Sequence, residues 1–277
     1  MRKISKQVYV ETEFPGANVG CVITEIGPIL IDTPMLPEEA DRLRKELFLL
    51  SDLDIAHIIY THQHFDHVIG SAYLSKRTIA HQGTLTGIGY LKNNLKKEIN
   101  LFFPDLHEQR KDVFDHLEIV LPQITFTTEL TLYIGDVTLQ LSFTGGHSSA
   151  SIIIYIPEER VLFMGDNLAT GMLPVTANCR YGQWIDLLER VEQMDVETYI
   201  PGHGDVCGKE TVRGVRLYFE AMRDRVRDCL NQGVPKEKVF DKIHLKDSLP
   251  LPFSEEIMQQ SAFDVSIMCD QIVKGYL

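Results

Sequence analysis

The sequence predicts a mixed α/β fold, with strands concentrated before about residue 208 and helices after it. Short apolar runs, separated by glycine and proline, recur through the first part of the chain and predict strands. After Gly208, apolar residues recur at helical spacing in two long segments. Histidines and aspartates follow several of the apolar runs directly, at positions where loops commonly carry function.

The first sixty residues contain one predicted helix and four predicted strands. Residues 37–50 place apolar side chains at helical spacing and acids in the first turn, which predicts the helix. The tripeptide Glu-Ile-Gly at residues 25–27 favours a hairpin turn between the runs that flank it. The predicted strands are residues 8–12, 18–24, 28–31 and 55–60.

The middle of the chain combines a helical segment with further strands. Residues 84–116 contain apolar residues four apart with lysines between them, which predicts a helical insertion. The tetrapeptide Pro-Glu-Glu-Arg at residues 157–160 separates two apolar runs and favours a tight antiparallel hairpin. The predicted strands begin near Ile124 and then cover residues 131–134, 137–143, 151–156, 161–164 and 198–200.

The last part of the chain is predicted to be helical. Residues 212–230 and 255–273 both carry apolar stripes, and Ser254 is placed to cap the second helix. We therefore expect a main domain over residues 1–208 and a C-terminal helical extension over residues 209–277. The extension either covers its own domain or pairs with a second chain in a homodimer, and the sequence leaves both open.

Composition and charge exclude several classes of protein. The chain has 277 residues, of which 44% are hydrophobic and 24% charged, as in ordinary globular domains. A net charge of -12 argues against nucleic-acid binding, which needs clustered lysine and arginine. No apolar run is long enough to span a membrane, and no signal peptide is recognisable. The five scattered cysteines favour reduced thiols, so we expect a cytoplasmic protein without membrane partners.

The densest group of chemically capable residues follows the predicted strand 55–60. Residues 61–67 read Thr-His-Gln-His-Phe-Asp-His, so four potential metal ligands stand within six residues. Alternate residues of an extended chain point to one side, so His62 and His64 can reach one metal. Asp66 and His67 follow where the chain bends, and could serve a second metal. Imidazole and carboxylate suit zinc, iron or manganese.

Three further candidate ligands stand beside glycine, which permits tight turns close to a metal. They are His147 after Gly145-Gly146, Asp166 after Gly165, and His203 between Gly202 and Gly204. If the hairpin at residues 151–164 forms, its open end brings His147 and Asp166 together. The isolated residues His57, His107, His116 and His244 are instead expected to be surface or core histidines.

These residues together resemble the complete ligand set of the metallo-β-lactamase fold superfamily. The resemblance extends over residues 8–206, with five motifs in the order that the superfamily shows. It implies an αββα four-layer sandwich with the metals at one edge of two sheets. We expect residues 1–208 to form the metal-binding catalytic domain. Because the insertion at 84–116 stands between the second and third ligand motifs, we expect it to lie over the metal site and to contact the substrate.

The resemblance also implies a role for each ligand of a centre that holds two divalent metal ions. Zinc is the expected metal, with iron and manganese as alternatives. Asp66 is expected to be catalytic as well as a ligand, and Asp32 to orient a ligand histidine or, alternatively, to cap a turn. The expected first-metal ligands are His62, His64 and His147, the second-metal ligands are Asp66, His67 and His203, and Asp166 bridges the two.

The resemblance further implies a hydrolase acting on a small-molecule substrate. The bridging Asp166 resembles that of glyoxalase II-like thioesterases and lactonases, although Ala169 stands where acyl-homoserine lactonases usually have tyrosine. We expect a hydroxide shared by the two metals to cleave an ester, thioester or lactone. The substrate-binding residues are unknown, with Tyr90, Phe102 and Phe103 of the insertion as candidates for its wall.

Two other classes of function remain alternatives at this level. One is a mononuclear iron dioxygenase of the persulfide dioxygenase type, which keeps a similar motif set. The other is a metal-containing protein that senses a ligand or regulates a partner. Metal content and oxygen consumption distinguish the dioxygenase from the hydrolase. A broad panel of esters distinguishes the sensing or regulatory protein, which would hydrolyse none of them.

Overall fold

Two β-sheets form the centre of the molecule, and helices cover the outer face of each. The computed structural model describes residues 1–243 and 255–277, so His244 and the predicted cap at Ser254 lie outside the described residues. The first sheet has seven strands in the order β1 to β7. They are Arg2–Lys3, Val8–Glu11, Val19–Thr24, Gly27–Ile31, His57–Ile59, Thr78–His81 and Ile124–Phe126.

The second sheet has five strands in the order β12-β11-β10-β9-β8. Strand β11 runs antiparallel to β10 and parallel to β12. In the same way, β4 and β5 are parallel in the first sheet, so the carboxyl ends of each parallel pair lie at the same sheet edge. Strands β8 to β12 are Glu129–Ile134, Val137–Phe143, Ile152–Ile156, Val161–Ala169 and Thr198–His203.

Ten α-helices complete the described part of the chain. Helices α4 to α6 form the insertion, and α4 ends at Phe102 because Pro104 has no N–H to continue the helical hydrogen bonds. The C-terminal extension contributes α8, α9 and α10. Helices α1 to α10 are Pro37–Phe48, Phe65–Val68, Ser71–Leu74, Gly83–Phe102, Pro104–Gln109, Lys111–Phe114, Tyr181–Gln193, Lys209–Asn231, Val239–Lys242 and Glu255–Val273.

Three apolar clusters separate the four layers. The central cluster joins the facing sides of the two sheets, for example Val22 and Ile29 with Leu139 and Ile154. A second cluster packs α1 and α4 on the first sheet. A third packs α7, α8 and α10 on the second sheet, where Trp184 is fully buried. Helices, sheet, sheet and helices therefore stack in the αββα order, and the fold expected from the resemblance is confirmed.

Several elements were not anticipated from the sequence, and some strands are longer than expected. The elements that were not predicted include strands β1 and β6 and helices α2, α3, α7 and α9. Strand β11 was expected to end at Met164 but continues to Ala169, through register shifts after Phe163 and Gly165. Among the described residues, no helix is long and apolar enough to cross a membrane. The proposed division at residue 208 stays a prediction, since α8 and α10 share one apolar cluster with the second sheet.

Candidate metal centre

The predicted ligands gather at the sheet edge where the parallel strands end. His62 and His64 follow β5, and Asp66 and His67 lie on the short helix α2. His147 lies in the connection between β9 and β10, Asp166 on β11 and His203 at the end of β12. Two groups of potential ligands result, in each of which one atom per residue lies within 4.8 Å of the others. The groups are His62, His64, His147 and Asp166, and Asp66, His67 and His203.

The first group consists of three histidine rings facing one carboxylate oxygen. His147 Nε2 lies 3.0 Å from His64 Nδ1 and 3.5 Å from Asp166 Oδ2. His62 Nε2 lies 3.7 Å from the same Oδ2. The other ring nitrogen of His147, Nδ1, donates to the Val175 carbonyl at 2.9 Å, which leaves Nε2 free to bind a metal. The hairpin therefore does bring His147 and Asp166 together.

The second group faces the other oxygen of Asp166. His67 Nε2 lies 3.1 Å and His203 Nε2 3.3 Å from Asp166 Oδ1. Asp66 Oδ2 lies 3.3 Å from His203 Nε2. Asp166 thus presents one oxygen to each group, which is the arrangement that a bridging ligand requires.

Two glycines allow the strands to approach this closely. A Cβ on Gly202 would lie 2.0 Å from Asp166 Oδ1, so any larger residue would displace the carboxylate. Gly146 has a φ of +84°, which favours glycine, and a Cβ there would lie 2.6 Å from Asn167 Oδ1. That oxygen accepts a hydrogen bond from the His147 backbone N–H. For steric reasons, glycine is therefore needed directly before two candidate ligands, His147 and His203.

The histidines of the first group are held in the neutral form. Burial lowers the pKa of His62 well below its usual value, and the neighbouring His67 and His64 lower it further. Burial likewise lowers the pKa of His147 to about 3, against the opposing effect of Asp166. A neutral imidazole has a free lone pair, so these rings are in the protonation state that metal binding needs.

The second group has the opposite electrostatics. Burial by itself would lower the pKa of His203, but Asp166 and Asp66 raise it to about 10. The pKa of His67 is also raised, since Asp166, Asp32 and Asp66 outweigh its burial. Burial would raise the pKa of Asp166, but His203, His67 and His62 hold it well below its usual range. A metal cation bound by this second group would supply the positive charge that protonated His67 and His203 supply when no cation is bound.

Unpartnered buried atoms show that the residues fit a metal. Among residues 1–243 and 255–277, His62 Nε2, His67 Nε2 and Asp166 Oδ1 are buried without a well-oriented hydrogen bond, although the last two atoms lie 3.1 Å apart. Buried polar atoms without partners are rare in native proteins, and a bound ion is one explanation. These three atoms converge on the two groups, and nitrogen and carboxylate donors suit zinc, iron and manganese. The donor set can therefore hold two metal ions.

Asp32 fixes the orientation of one of these ligands. Its Oδ2 lies 2.7 Å from His67 Nδ1 and accepts from Thr61 Oγ1 at 2.7 Å, and its Oδ1 accepts from the Thr61 N–H at 2.7 Å. The backbone of Asp32 has a φ of +61°, uncommon for a residue with a side chain. The Asp32 carboxylate therefore holds the His67 ring and Thr61, and its role in orienting a metal ligand stays a prediction.

Replacing Asp32 with asparagine is expected to weaken metal binding about 10–100-fold, as loss of a carboxylate that orients a ligand histidine commonly does. Asparagine keeps the shape but removes the charge and one of the acceptor oxygens. Competition with a chelator measures the affinity, with Asp52→Asn, an exposed change of the same kind, as the control. An affinity equal to that of the unchanged protein would contradict the role given to Asp32.

Several residues around the site were not found from the sequence. Thr61 holds Asp32, Asn167 holds the backbone of His147, and the Val175 carbonyl orients its ring. Asn167 directly follows the candidate ligand Asp166, and this adjacency is the one sequence signal that could have identified a supporting residue of the site. A backbone carbonyl leaves no sequence signal. Of the candidate wall residues, Tyr90 and Phe102 are about half exposed, and Phe103 packs against Phe65.

The αββα sandwich carries two neighbouring groups of histidine and aspartate residues at one sheet edge. Together the fold and these groups are typical of a metal-dependent protein. A family model described as "Metallo-beta-lactamase superfamily" matches residues 14–203, which is more than half of the chain. The chain belongs to this superfamily. The narrower likeness to glyoxalase II and lactonases stays a prediction.

Similar proteins cover most of this chain. A linear primary-alkylsulfatase from a Pseudomonas species is 24% identical over 91% of the chain and 54% of its own length. The structure of a stereoselective inverting sec-alkylsulfatase from Pseudomonas aligns with a TM-score of 0.72 at 16% identity, over 97% of this chain and 49% of that one. A metallo-beta-lactamase family protein from Thermus thermophilus aligns with a TM-score of 0.67 at 17% identity, over 97% and 94%. The chain thus spans about half the length of its alkylsulfatase relatives.

Proposed function

We propose that this protein is a hydrolase that uses two divalent metal ions to cleave an ester, thioester or lactone of a small molecule. The observation that carries the proposal is the placement of Asp166 between the two ligand groups, with one oxygen towards each. When bound, the metals would supply Lewis-acid activation of water and of the substrate oxygen. Zinc is the metal we favour for this mixed histidine and carboxylate set.

The protein's own residues would hold and orient the reacting groups. Burial lowers the pKa of His62, of the half-buried His64 and of His147, so these rings would bind the first metal in the neutral form, without losing a proton. The Asp66 carboxylate lies beside His203, and although burial opposes it, the neighbouring histidines hold its pKa below its usual value. An ionised Asp66 is able to accept a proton from the attacking water and pass it to the leaving group.

Sulfate esters are a second candidate substrate class. The alignment with the linear primary-alkylsulfatase covers 91% of this chain, so it includes the ligand motifs between residues 62 and 203. A sulfate monoester differs from a carboxylate ester in carrying a full negative charge on the reacting group. A substrate panel therefore has to include both kinds of ester.

Metal analysis combined with an ester panel tests the proposal. Protein purified without added metal should contain about two zinc, iron or manganese atoms per chain, as expected of a two-metal site. The content should fall in His64→Ala and stay unchanged in His116→Ala, which alters an exposed histidine outside the two groups. A single iron atom with oxygen consumption would favour a dioxygenase. Metal-loaded protein that hydrolyses no ester, thioester, lactone or sulfate ester would overturn the proposal.

A further inference from the structure

We propose that Asp264 on the C-terminal helix α10 is a positioning residue for the metal centre, acting on the ligand His147 through Thr176 and the Val175 carbonyl. The inference rests on the proposed function, because His147 is one of the ligands that this function requires. Residues 170–180, which join β11 to α7, lie between α10 and His147, and we call them the connecting segment. Hydrogen bonds on both sides of this segment carry the proposal.

The connecting segment binds the loop of His147 at two points. The Val175 carbonyl accepts a hydrogen bond from His147 Nδ1 at 2.9 Å, while Nε2 of the same ring faces the first ligand group. The Arg180 backbone N–H donates at 2.7 Å to the carbonyl of Gly146, the residue before His147. The direction of the His147 ring therefore depends on where the connecting segment places one carbonyl group.

Thr176 is the residue that fixes this carbonyl. Residues 170–180 are all described by the structure and contain no helix or strand, so no regular ladder of hydrogen bonds holds them. Val175 is 37% exposed, whereas Thr176 is fully buried. The Val175 carbonyl and the Cα of Thr176 belong to one planar peptide unit. Whatever fixes Thr176 therefore also fixes the direction of the Val175 carbonyl.

Helix α10 holds the connecting segment from the other side, again at two points. Asp264 Oδ1 accepts a hydrogen bond from Thr176 Oγ1 at 2.6 Å. Gln271 Nε2 donates to the Cys179 carbonyl, and Gln271 Oε1 accepts from the Tyr181 N–H, both at 2.9 Å. Asp264 and Gln271 are buried and about two helical turns apart, so they lie on the same face of α10.

The bond from Thr176 to Asp264 is the link that leads most directly to the ligand. A hydrogen bond from a hydroxyl to a carboxylate is charge-assisted and stronger than one between neutral groups. Gln260 Nε2, one turn earlier on α10, donates to the same Oδ1 at 2.8 Å and holds the carboxylate in place. Without the Thr176 hydroxyl, the peptide unit of Val175 would be free to turn, and His147 Nδ1 would lose its fixed acceptor.

Proton exchange of the His147 ring tests this positioning directly. A ring N–H held by a carbonyl gives a downfield proton NMR signal, measured on full-length protein with isotope-labelled histidine and assigned by its loss in His147→Ala. Thr176→Val keeps the branched shape of threonine but has no hydroxyl. We expect this variant to exchange the proton about fivefold faster, as loss of a hydrogen bond of typical strength predicts. Asp264→Ala should act in the same way.

Conservative variants separate positioning from a general loosening of the fold. Thr176→Ser keeps the hydroxyl and Asp264→Asn keeps an acceptor oxygen, so both should exchange the His147 proton like the unchanged protein. Asp270→Ala removes an acid from the exposed side of the same helix and should also leave the exchange unchanged. An equal increase in all five variants would mean that α10 affects the ring only through overall stability, and would overturn the proposal.

Zinc affinity, measured by competition with a chelator, is the second readout. Loss of the direct partner of a ligand histidine commonly weakens metal binding about 10–100-fold, and Thr176→Val acts one step further out, so we expect about tenfold. Faster exchange in a protein that binds no zinc or cleaves no ester would mean that the proposed function fails while the positioning of His147 stands. Exchange equal to that of the unchanged protein in Thr176→Val, or unchanged affinity in a protein that binds zinc, overturns the role of Asp264.

Discussion

Replacing Asp166 with alanine is expected to remove at least one metal ion per chain and to reduce kcat/KM by on the order of 10³-fold or more. Loss of a single preorganised group that stabilises a transition state costs about 10²–10³-fold. Asp166 serves two groups at once, because Oδ2 faces His62 and His147 while Oδ1 faces His67 and His203. Its removal would also leave two raised-pKa histidines without their main counter-charge.

Metal content by plasma mass spectrometry and initial rates on a cleaved ester measure this effect. Circular dichroism should show that Asp166→Ala keeps the fold, since the carboxylate lies at the sheet edge and outside the three apolar clusters. The matched control is Asp136→Ala, an exposed aspartate in the β8–β9 turn, which should keep both metals and full turnover. An Asp166→Ala protein with two metals and unchanged rates would show that Asp166 is not a shared ligand.

The positions of the candidate ligands were predictable because they depend on local sequence. The motif at residues 61–67 places four ligands on one short loop and helix, where spacing alone determines which side chains lie together. The pairing of His147 with Asp166 followed from a hairpin, whose register is set by its turn. Both arrangements involve residues close in the sequence or joined by one tight turn.

The layer order could not be derived from residue patterns alone. Periodicity identifies a strand but not the sheet to which it belongs, and the sandwich was expected only from the family resemblance. Helix α7 was missed although its buried face includes Trp184 and Leu188, whose burial depends on the second sheet. Strand β11 was cut short because Gly165-Asp166 resembles a strand end, whereas a bulge carries the pairing on to Ala169.

The contact between the insertion and the histidine loop was also beyond the sequence. Residues 84–116 were expected to lie over the metal site, with aromatic residues as its wall. In the structure Gly87 of α4 lies so close to the loop that a Cβ there would be 2.1 Å from the Gln63 side chain. This contact is a tertiary approach, which follows from how elements pack and not from a motif.

Replacing Asp264 with asparagine is expected to make the protein more resistant to unfolding at neutral pH, with an effect that disappears in acid. Asp264 is fully buried on α10, where Oδ1 accepts hydrogen bonds from Thr176 Oγ1 at 2.6 Å and Gln260 Nε2 at 2.8 Å. Within the part of the chain that the structure describes, Oδ2 is buried without a partner. Burial raises the pKa of this carboxyl from 3.8 to about 6.

The direction of the effect follows from where the proton is held. Below about pH 4 the carboxyl is protonated in the folded and the unfolded chain, so its contribution to stability is fully present. As the pH rises to about 6, the unfolded chain loses this proton first, and stability is lost until the folded form also ionises. A pKa difference of about two units corresponds to about 3 kcal/mol in the free energy of unfolding. Asparagine does not titrate, so the variant avoids this loss.

Urea unfolding of both proteins at several pH values between about 4 and 8 measures the difference, with the same metal content throughout. The free energy of unfolding of Asp264→Asn minus that of the unchanged protein should rise by about 3 kcal/mol over this range, mostly below about pH 6. Asp270→Asn on the same helix is the control, and should show no such rise, because Lys236 lowers the pKa of that exposed carboxyl. A difference that does not change with pH would mean that Asp264 titrates alike in the folded and unfolded chain. The result matters for the site because Thr176, which Asp264 holds, directly follows Val175, whose carbonyl orients His147.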